Sequence, residues 1–297
     1  MKNKLKYLMR DSIRFVLRPI GYTYLRFFKT HKYIPNLKHP NTFSEKLIVR
    51  KFTVKPSKLS KFVDKFTVRE HVKHTIGEQY LIPLIKNVTY LKVSDFDDLP
   101  NSFVMKTSNG GGGENVLIVE NKADLDLEKT CKKFNAFLKI KVGKIVDEHF
   151  YDIELPRVIF EELIKHKDGS YPSDFKLHIF QGKAERDEKV IVQVDADRFE
   201  NHKRSLYSED LKLLNYNIQP KYDTLGSNYQ FPDNMETLIK LAKQLARPFR
   251  YVRVDMYNVD GVIYFGELTF CHGSGWEPMS SKCVDKLWGQ YWDEFQL

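Results

Sequence analysis

Long apolar runs are missing from this chain of 297 residues. The longest span only a few residues, far short of the ~18 needed to cross a bilayer, so a membrane-spanning helix is excluded. No succession of charged, apolar and small residues marks a cleaved leader. Cysteine is scarce. Cys131, Cys271 and Cys283 cannot all pair, and none stands in a CxxC or Cys/His spacing that would suggest zinc. Free thiols in a reducing cytoplasm are the simplest expectation. Internal repeats, low-complexity tracts and long linkers are also lacking. A basic body is lacking too, although the net charge is +9. Residues 1–38 carry ten Lys or Arg and a single acid, Asp11, which leaves 38 basic and 38 acidic residues in the rest. A nucleic-acid-binding body would carry its own basic face, so that class is disfavoured.

The basic segment has a pattern. Leu5, Leu8, Met9, Ile13, Val16, Leu17 and Ile20 follow the spacing of one helical face, while Lys2, Lys6, Arg10, Arg14 and Arg18 recur every fourth residue. Pro19 and Gly21 are expected to end this helix. Two arrangements are open: the apolar stripe lies on an anionic leaflet through residues 2–20, or it packs on the protein's own body while the cations stay solvated.

Further along, NLKHPNTFSEKL (36–47) reads as a turn and a helix start, with Thr42 or Ser44 as cap and Glu45 completing a capping box with Thr42. VDKFTVREHVKHTIG (63–77) predicts a helix closed by Gly77, and YLIPLI (80–85) a short buried strand. Strands are predicted over 102–108, 114–121, 157–164, 175–183, 189–197, 251–258 and 262–270, and helices over 123–139, 234–246 and 283–295. Antiparallel hairpins mixed with helices predict an α+β fold. The expected divisions are a basic helical segment at 1–38, a helical α/β region at 39–98, and two lobes at 99–164 and 165–297.

FVMKTSNGGGGENVLIV (103–119) places four glycines between two strands, with Lys106 on the first. No Gly-Lys-Ser/Thr follows and no helix opens, so neither a P-loop nor a dinucleotide fingerprint fits. What remains is a glycine hairpin, either a plain turn or a flap whose backbone amides approach phosphate oxygens. RVDMYNVDGVIYFGELTF (253–270) is a second hairpin, turning at Asp260-Gly261. It brings Asp255 and Glu267 to the same region of a sheet, and Thr269 faces the side of Glu267. Two carboxylates and a hydroxyl are hard oxygen donors suited to Mg²⁺ rather than zinc. Arg253 shares the face of Asp255, where a guanidinium can hold a phosphoryl group or an oxyanion. Alone, the pair could be solvated hairpin carboxylates.

The order of glycine hairpin with lysine, then FEELI, then RVD…GELT resembles the ATP-grasp enzymes. More specifically it resembles the TupA-like ATP-grasp family, named for teichuronopeptide synthesis and found among bacterial surface-polysaccharide genes. The resemblance runs through PNTFSEKL, VDKFTVREHV, GEQYLIP, the glycine hairpin, VDADRFENHKRSLY and RVDMYNVDGVIYFGELTFCHGSG. It implies an ATP-grasp fold, two α+β lobes clasping ATP. Lys65 and Lys106 would be nucleotide lysines, and Ser108 with Gly110, Gly111, Gly112 and Gly113 would form the flap. The backbone of Glu161, Glu162, Leu163 and Ile164 would meet adenine, with Glu162 able to reach the ribose. Lys176 would stand near the phosphates. Asp255 and Glu267 would be the magnesium carboxylates, with Thr269 where many relatives have Asn, and Arg253 would steady the tetrahedral intermediate. Asp197, Arg198, Asn201, His202 and Arg204 fall where related ligases place an acceptor loop; a basic surface loop is the competing description.

The chemistry implied is a ligase reaction using ATP and Mg²⁺: phosphorylation of a carboxylate, then attack by an amine. The implied partners are a glycan or sugar carboxylate, such as a uronic acid, and an amino acid or small amine, at the cytoplasmic leaflet and without nucleic acid. Three rivals stand beside it. Asp195-Ala-Asp197 is a DxD string of the kind that binds a nucleotide sugar's metal in glycosyltransferases, though three-residue strings are common by chance. The same fold could transfer phosphate to a sugar hydroxyl. A non-catalytic glycan-binding protein with a decayed site is the third, opposed by the intact set Lys65, Lys106, Asp255 and Glu267.

Overall fold

A computed structural model describes residues 2–111, 113, 115–182, 187–196, 202–226 and 229–292, with side chains from Arg10 onward. Its helices are α1 (Lys2–His31), α2 (Phe43–Thr53), α3 (Ser60–Val63), α4 (Val68–Thr75), α5 (Leu127–Leu138), α6 (Val142–Val146), α7 (Met235–Ala246) and α8 (Lys282–Tyr291). Strands β1 (Leu84–Val88), β2 (Phe103–Thr107), β3 (Val116–Val119) and β4 (Val158–Glu161) form one antiparallel sheet in the order β1-β4-β2-β3. A second antiparallel sheet is ordered β7-β6-β5-β8-β9, from β5 (Asp174–Phe180), β6 (Lys189–Ala196), β7 (Lys203–Ser208), β8 (Tyr251–Val259) and β9 (Val262–Thr269). The architecture is α+β, as the mixture of hairpins and helices predicts.

Strand alternation decides what each sheet face carries. On the second sheet Val192, Leu177, Val254 and Leu268 point into a core shared with Leu238, Ala242 and Leu245 of α7. The opposite face carries Gln193, Lys176, Asp255 and Glu267 in a single row of cross-strand partners. An aromatic cluster of Phe43, Phe180, Tyr251, Trp288 and Trp292, from α2, α8 and the sheet, closes one end of this polar face. The first sheet has its own core, where Phe103, Met105 and Phe160 pack with Phe134 of α5.

Local sequence places several elements well. Thr42 and Glu45 form the reciprocal capping box that starts α2. The helix predicted over 63–77 begins only at α4, after the end of α3 at Val63, because the Asp64 carboxylate accepts the N–H groups of Phe66 and Thr67 at 3.0 Å each and turns the chain there. The strand predicted at 80–85 lies later, at β1: residues 78–80 form a 3₁₀ turn, and pairing with β4 takes Leu84 to Val88. Residues 203–208, taken with the basic loop, pair with β6 as an edge strand.

α1 departs from expectation in two ways. It kinks at Arg18 (φ 57°, ψ 164°) but resumes, because Pro19 disfavours the helical conformation of the residue before it and suits the first turn of a new segment. Two of its cations also do not stay solvated, although Arg18 is exposed. Arg10 donates to the Ile145 carbonyl at 2.9 Å, and Arg14 forks onto Asp147 at 2.8 and 3.2 Å. Ile13, Val16, Leu17 and Ile20 are instead exposed by 40, 77, 40 and 70%. Among the described residues, the arrangement with the stripe buried against the body is not found.

Candidate functional site

The glycine loop connects β2 to β3, and Lys65 joins it to the other sheet. Its amide donates to the Ser108 carbonyl at 2.8 Å, its ammonium donates to the Gly110 carbonyl at 2.5 Å, and the same nitrogen lies 3.6 Å from Glu267 Oε2. One lysine therefore bridges the first sheet's loop and the second sheet's carboxylates. Gly110 and Gly113 have φ of 78° and 82°, backbone that favours glycine. Gly111 has no such requirement, and Gly112 lies outside the described residues. Ser108 stands apart from the loop it precedes. It is fully buried, its hydroxyl accepts the Arg157 N–H at 3.1 Å, and its own N–H donates to the Arg157 carbonyl at 2.8 Å.

The hairpin of β8 and β9 sets Asp255 directly opposite Glu267, and Arg253 opposite Thr269. A bulge follows Asp255, where Gly266 passes so close that a Cβ would sit 3.0 Å from the Asp255 carbonyl oxygen. Arg253 Nη2 donates to Asp255 Oδ2 at 2.7 Å, Thr269 Oγ1 at 3.0 Å and Glu267 Oε1 at 3.1 Å. The three oxygens thus converge on one cationic nitrogen. Arg253 Nε completes a fork onto Asp255 at 2.6 Å. Burial pushes the Glu267 carboxyl up, but Lys65, Arg253, Lys176 and Lys106 outweigh it and hold it at about 2. Burial also pushes Asp255 up against the pull of Arg253 and Lys176, yet with two short bonds to one guanidinium the ionised pair is what the geometry holds. This donor set suits a hard divalent cation. Among the described residues no cluster of three or more His, Cys, Asp or Glu could hold a metal by itself, so such an ion would need oxygens from a ligand as well.

Lys176 lies on β5 between three carboxylates: Asp174 at 2.8 Å, and Asp195 and Asp255 at 3.6 Å each. Arg204 on β7 is wholly engaged by this chain. Its Nε and Nη2 hold Asp195 at 2.6 and 3.2 Å, and its Nη1 holds Glu277 at 3.0 Å. His202 lies 3.1 Å from the same Asp195 carboxylate and packs against Tyr222. Burial works against the ionised Asp195, but Lys176 and Arg204 keep its carboxyl well below the usual range. Asp195 is 1% exposed and engaged by Lys176, Arg204 and His202 within this chain. Asp197, Arg198 and Asn201 lie outside the described residues.

At the end of β4 a buried carboxylate is engaged within this chain. Glu161 is buried and takes Lys106 at 2.6 Å and Arg69 at 3.2 Å. Glu162 is exposed and its N–H donates to the Pro83 carbonyl at 3.1 Å, while Leu163 and Ile164 are half-buried. Lys106 therefore faces the FEELI strand and joins Lys65 and Lys176 in holding Glu267 ionised.

Sequence reasoning passed over three side chains. Arg69 stands four residues after Lys65, and that helical spacing was the available signal. His272 and Glu277 follow Thr269 in CHGSGWE. His272 Nδ1 accepts from Arg253 Nη1 at 2.8 Å, and its Nε2 lies 3.1 Å from Glu277 Oε2. Only the return of the loop after β9 brings these groups beneath the two arginines.

No curated protein sequence matches the chain. Among solved structures it is similar to an ADP complex of N5-carboxyaminoimidazole ribonucleotide synthetase, with 17% identity, 71% of this chain and 45% of that one covered, and a TM-score of 0.46. It is also similar to D-alanine–D-alanine ligase from Bacillus anthracis (19% identity, 71% and 58% covered, TM-score 0.40). A third likeness is to an L-amino acid ligase from Bacillus licheniformis (14% identity, 78% and 49% covered, TM-score 0.43). The chain spans about half the length of these structures, and likenesses so distant decide nothing about its reaction. The family comparison is closer: the profile described as TupA-like ATP-grasp matches residues 45–293, most of the chain and all of the candidate site. The chain belongs to the TupA-like ATP-grasp family.

Proposed function

We propose that this protein is an ATP- and Mg²⁺-dependent carboxylate–amine ligase that forms an amide on a bacterial surface polysaccharide or its precursor, for example between an amino acid and a uronic acid. The observation that carries it is the convergence of Asp255, Glu267 and Thr269 on one cationic point, with Lys65 tying that point to the glycine loop. These three oxygen donors would hold Mg²⁺, which when bound neutralises the nucleotide's phosphates. Lys65, Lys106 and the amides of Gly110 to Gly113 would hold and orient the phosphates, with Lys176 adding charge beside them. The backbone at 161–164 would hold the adenine. In the reaction a carboxylate oxygen attacks the γ-phosphorus, the bond to ADP breaks, and an acyl phosphate forms. An amine nitrogen then attacks the carbonyl carbon and inorganic phosphate leaves. Arg253 would face the oxyanion of that second step, and the strand and loop around Arg198, Asn201, His202 and Arg204 would border the acceptor. No side-chain nucleophile is required.

The outward stripe of α1 supports a second element of this reading, a peripheral contact with an anionic membrane on the cytoplasmic side, where lipid-linked glycans would present the carboxylate. The deciding experiment measures ADP release from Mg²⁺·ATP across uronic acids, sugar nucleotides and amino acids, with mass analysis of the product. Release is expected only when a carboxylate and an amine are both present, and is abolished by Glu267→Ala or Lys106→Ala. Release driven by a sugar hydroxyl alone, or near-normal rates in either variant, would refute it.

A further inference from the structure

Seven charged or polar side chains on the buried face form a closed circuit. Arg253 holds Asp255, Asp255 and Asp195 flank Lys176, Asp195 holds Arg204, Arg204 holds Glu277, Glu277 faces His272, and His272 returns to Arg253. Its two arginines are those proposed to face the oxyanion and to border the acceptor. Among the described residues, only His272 and Glu277 connect them on the side away from Lys176.

The chemistry of His272 follows from its neighbours. A guanidinium can only donate, so the Nδ1 facing Arg253 Nη1 at 2.8 Å is an acceptor without a proton. The neutral ring then carries its proton on Nε2, which lies 3.1 Å from Glu277 Oε2 without the alignment of a hydrogen bond. The ring is 3% exposed and lies against the His178 ring at 4.8 Å, which fixes its plane. Glu277 Oε2 in turn accepts Arg204 Nη1 at 3.0 Å.

Five hydrogen bonds hold the Arg253 guanidinium. Four go to Asp255, Glu267 and Thr269, the oxygens that would also face a cation. The fifth, to His272, does not compete with a metal. We propose that His272, backed by Glu277, is a positioning residue that keeps Arg253 aimed at the reacting carbonyl when the carboxylates are turned to a cation and its nucleotide. This rests on the ligase reading for its kinetic consequence, but its structural half does not.

The test uses His272→Ala and His272→Gln in the full chain. Glutamine can copy the acceptor of the neutral ring, its Oε1 accepting from Arg253. His272→Ala is expected to lower kcat by 10- to 100-fold with the KM for ATP within about threefold, because orientation rather than phosphate binding is lost. His272→Gln should restore kcat to within a few-fold of the parent. In the nucleotide-free protein, imidazole ¹⁵N resonances, assigned by their loss in His272→Gln, should show the Nε2–H tautomer. An Nδ1–H tautomer, a parental kcat in the alanine variant, or equal losses in both variants would each overturn the proposal. If no acceptor supports turnover, the ligase reading fails and the tautomer measurement still decides the arrangement of His272.

Discussion

Gly110→Ala, set against the same change at Gly111 and Gly113, tests whether the loop's backbone geometry is what closes over a nucleotide. Gly110 sits at φ 78°, where an L-residue costs roughly 1–2 kcal/mol. Its new Cβ would also lie 3.1 Å from both Val142 methyl carbons, a contact that forces the neighbour to give. About 2 kcal/mol of strain is therefore expected in the observed position. The loop can shed that strain by leaving, but it then loses the 2.5 Å bond between Lys65 and the Gly110 carbonyl. Binding must restore the position, so affinity for Mg²⁺ and a nonhydrolysable ATP analogue should fall about 10- to 30-fold. At Gly113 (φ 82°, nothing within 4 Å of the new atom) only the backbone cost remains, and a loss of about fivefold is expected. Gly111 has open space and no left-handed backbone, so Gly111→Ala should bind within about twofold of the parent. Calorimetric titration reads the affinities, and thermal unfolding confirms that the surface loop changes leave the core intact. Equal damage at Gly110 and Gly111, or none at either, would refute the reasoning.

Acid should unfold the protein partly through its buried carboxylates. Glu277 is held at about 2 against an ordinary 4.5, because His272 and Arg204 overcome the penalty of burial. A carboxyl lowered in the folded state gives stability that is complete above about 4.5 and is lost as pH falls towards 2; the ceiling is about 3 kcal/mol, and the quarter-exposed side chain reduces it to roughly 1–2. Urea unfolding of the parent and Glu277→Gln from pH 7 to pH 3 should therefore converge at low pH, and parallel curves would count against the circuit. The exposed stripe on α1 predicts that Val16→Ser with Ile20→Ser reduces co-flotation with vesicles containing anionic lipid while leaving thermal stability unchanged. Undiminished flotation would remove α1 as the contact.

The candidate site was legible where local rules set geometry. The Asp-Gly turn brought Asp255 and Glu267 to one region of the sheet, with Thr269 on the side of Glu267, but its register alone would set Asp255 against Gly266, and the bulge after Asp255 is what places Glu267 opposite it. The glycines excluded two phosphate motifs by their strand context alone. Much of the rest was not legible because it depends on partners far along the chain. Residues 203–208 read as a basic loop because a strand at a sheet edge needs β6 to complete its ladder. Arg204 looked like a free cation because nothing nearby in sequence announces Asp195 or Glu277 as its partners. Glu161 looked like backbone because Lys106 and Arg69 meet its side chain only across the first sheet.

By itself, then, the sequence determined the family, the α+β class, the start of α2 and the hairpin that carries the two carboxylates, the last two set by interactions within a few residues or one turn. Only the tertiary structure decided which cations those carboxylates share, that Lys65 joins loop to hairpin, and that α1 ties Arg10 and Arg14 to the body while Ile13, Val16, Leu17 and Ile20 stay exposed. Those are outcomes of long-range charge pairing and packing, in which a side chain's partner is chosen by where the chain returns rather than by what stands beside it.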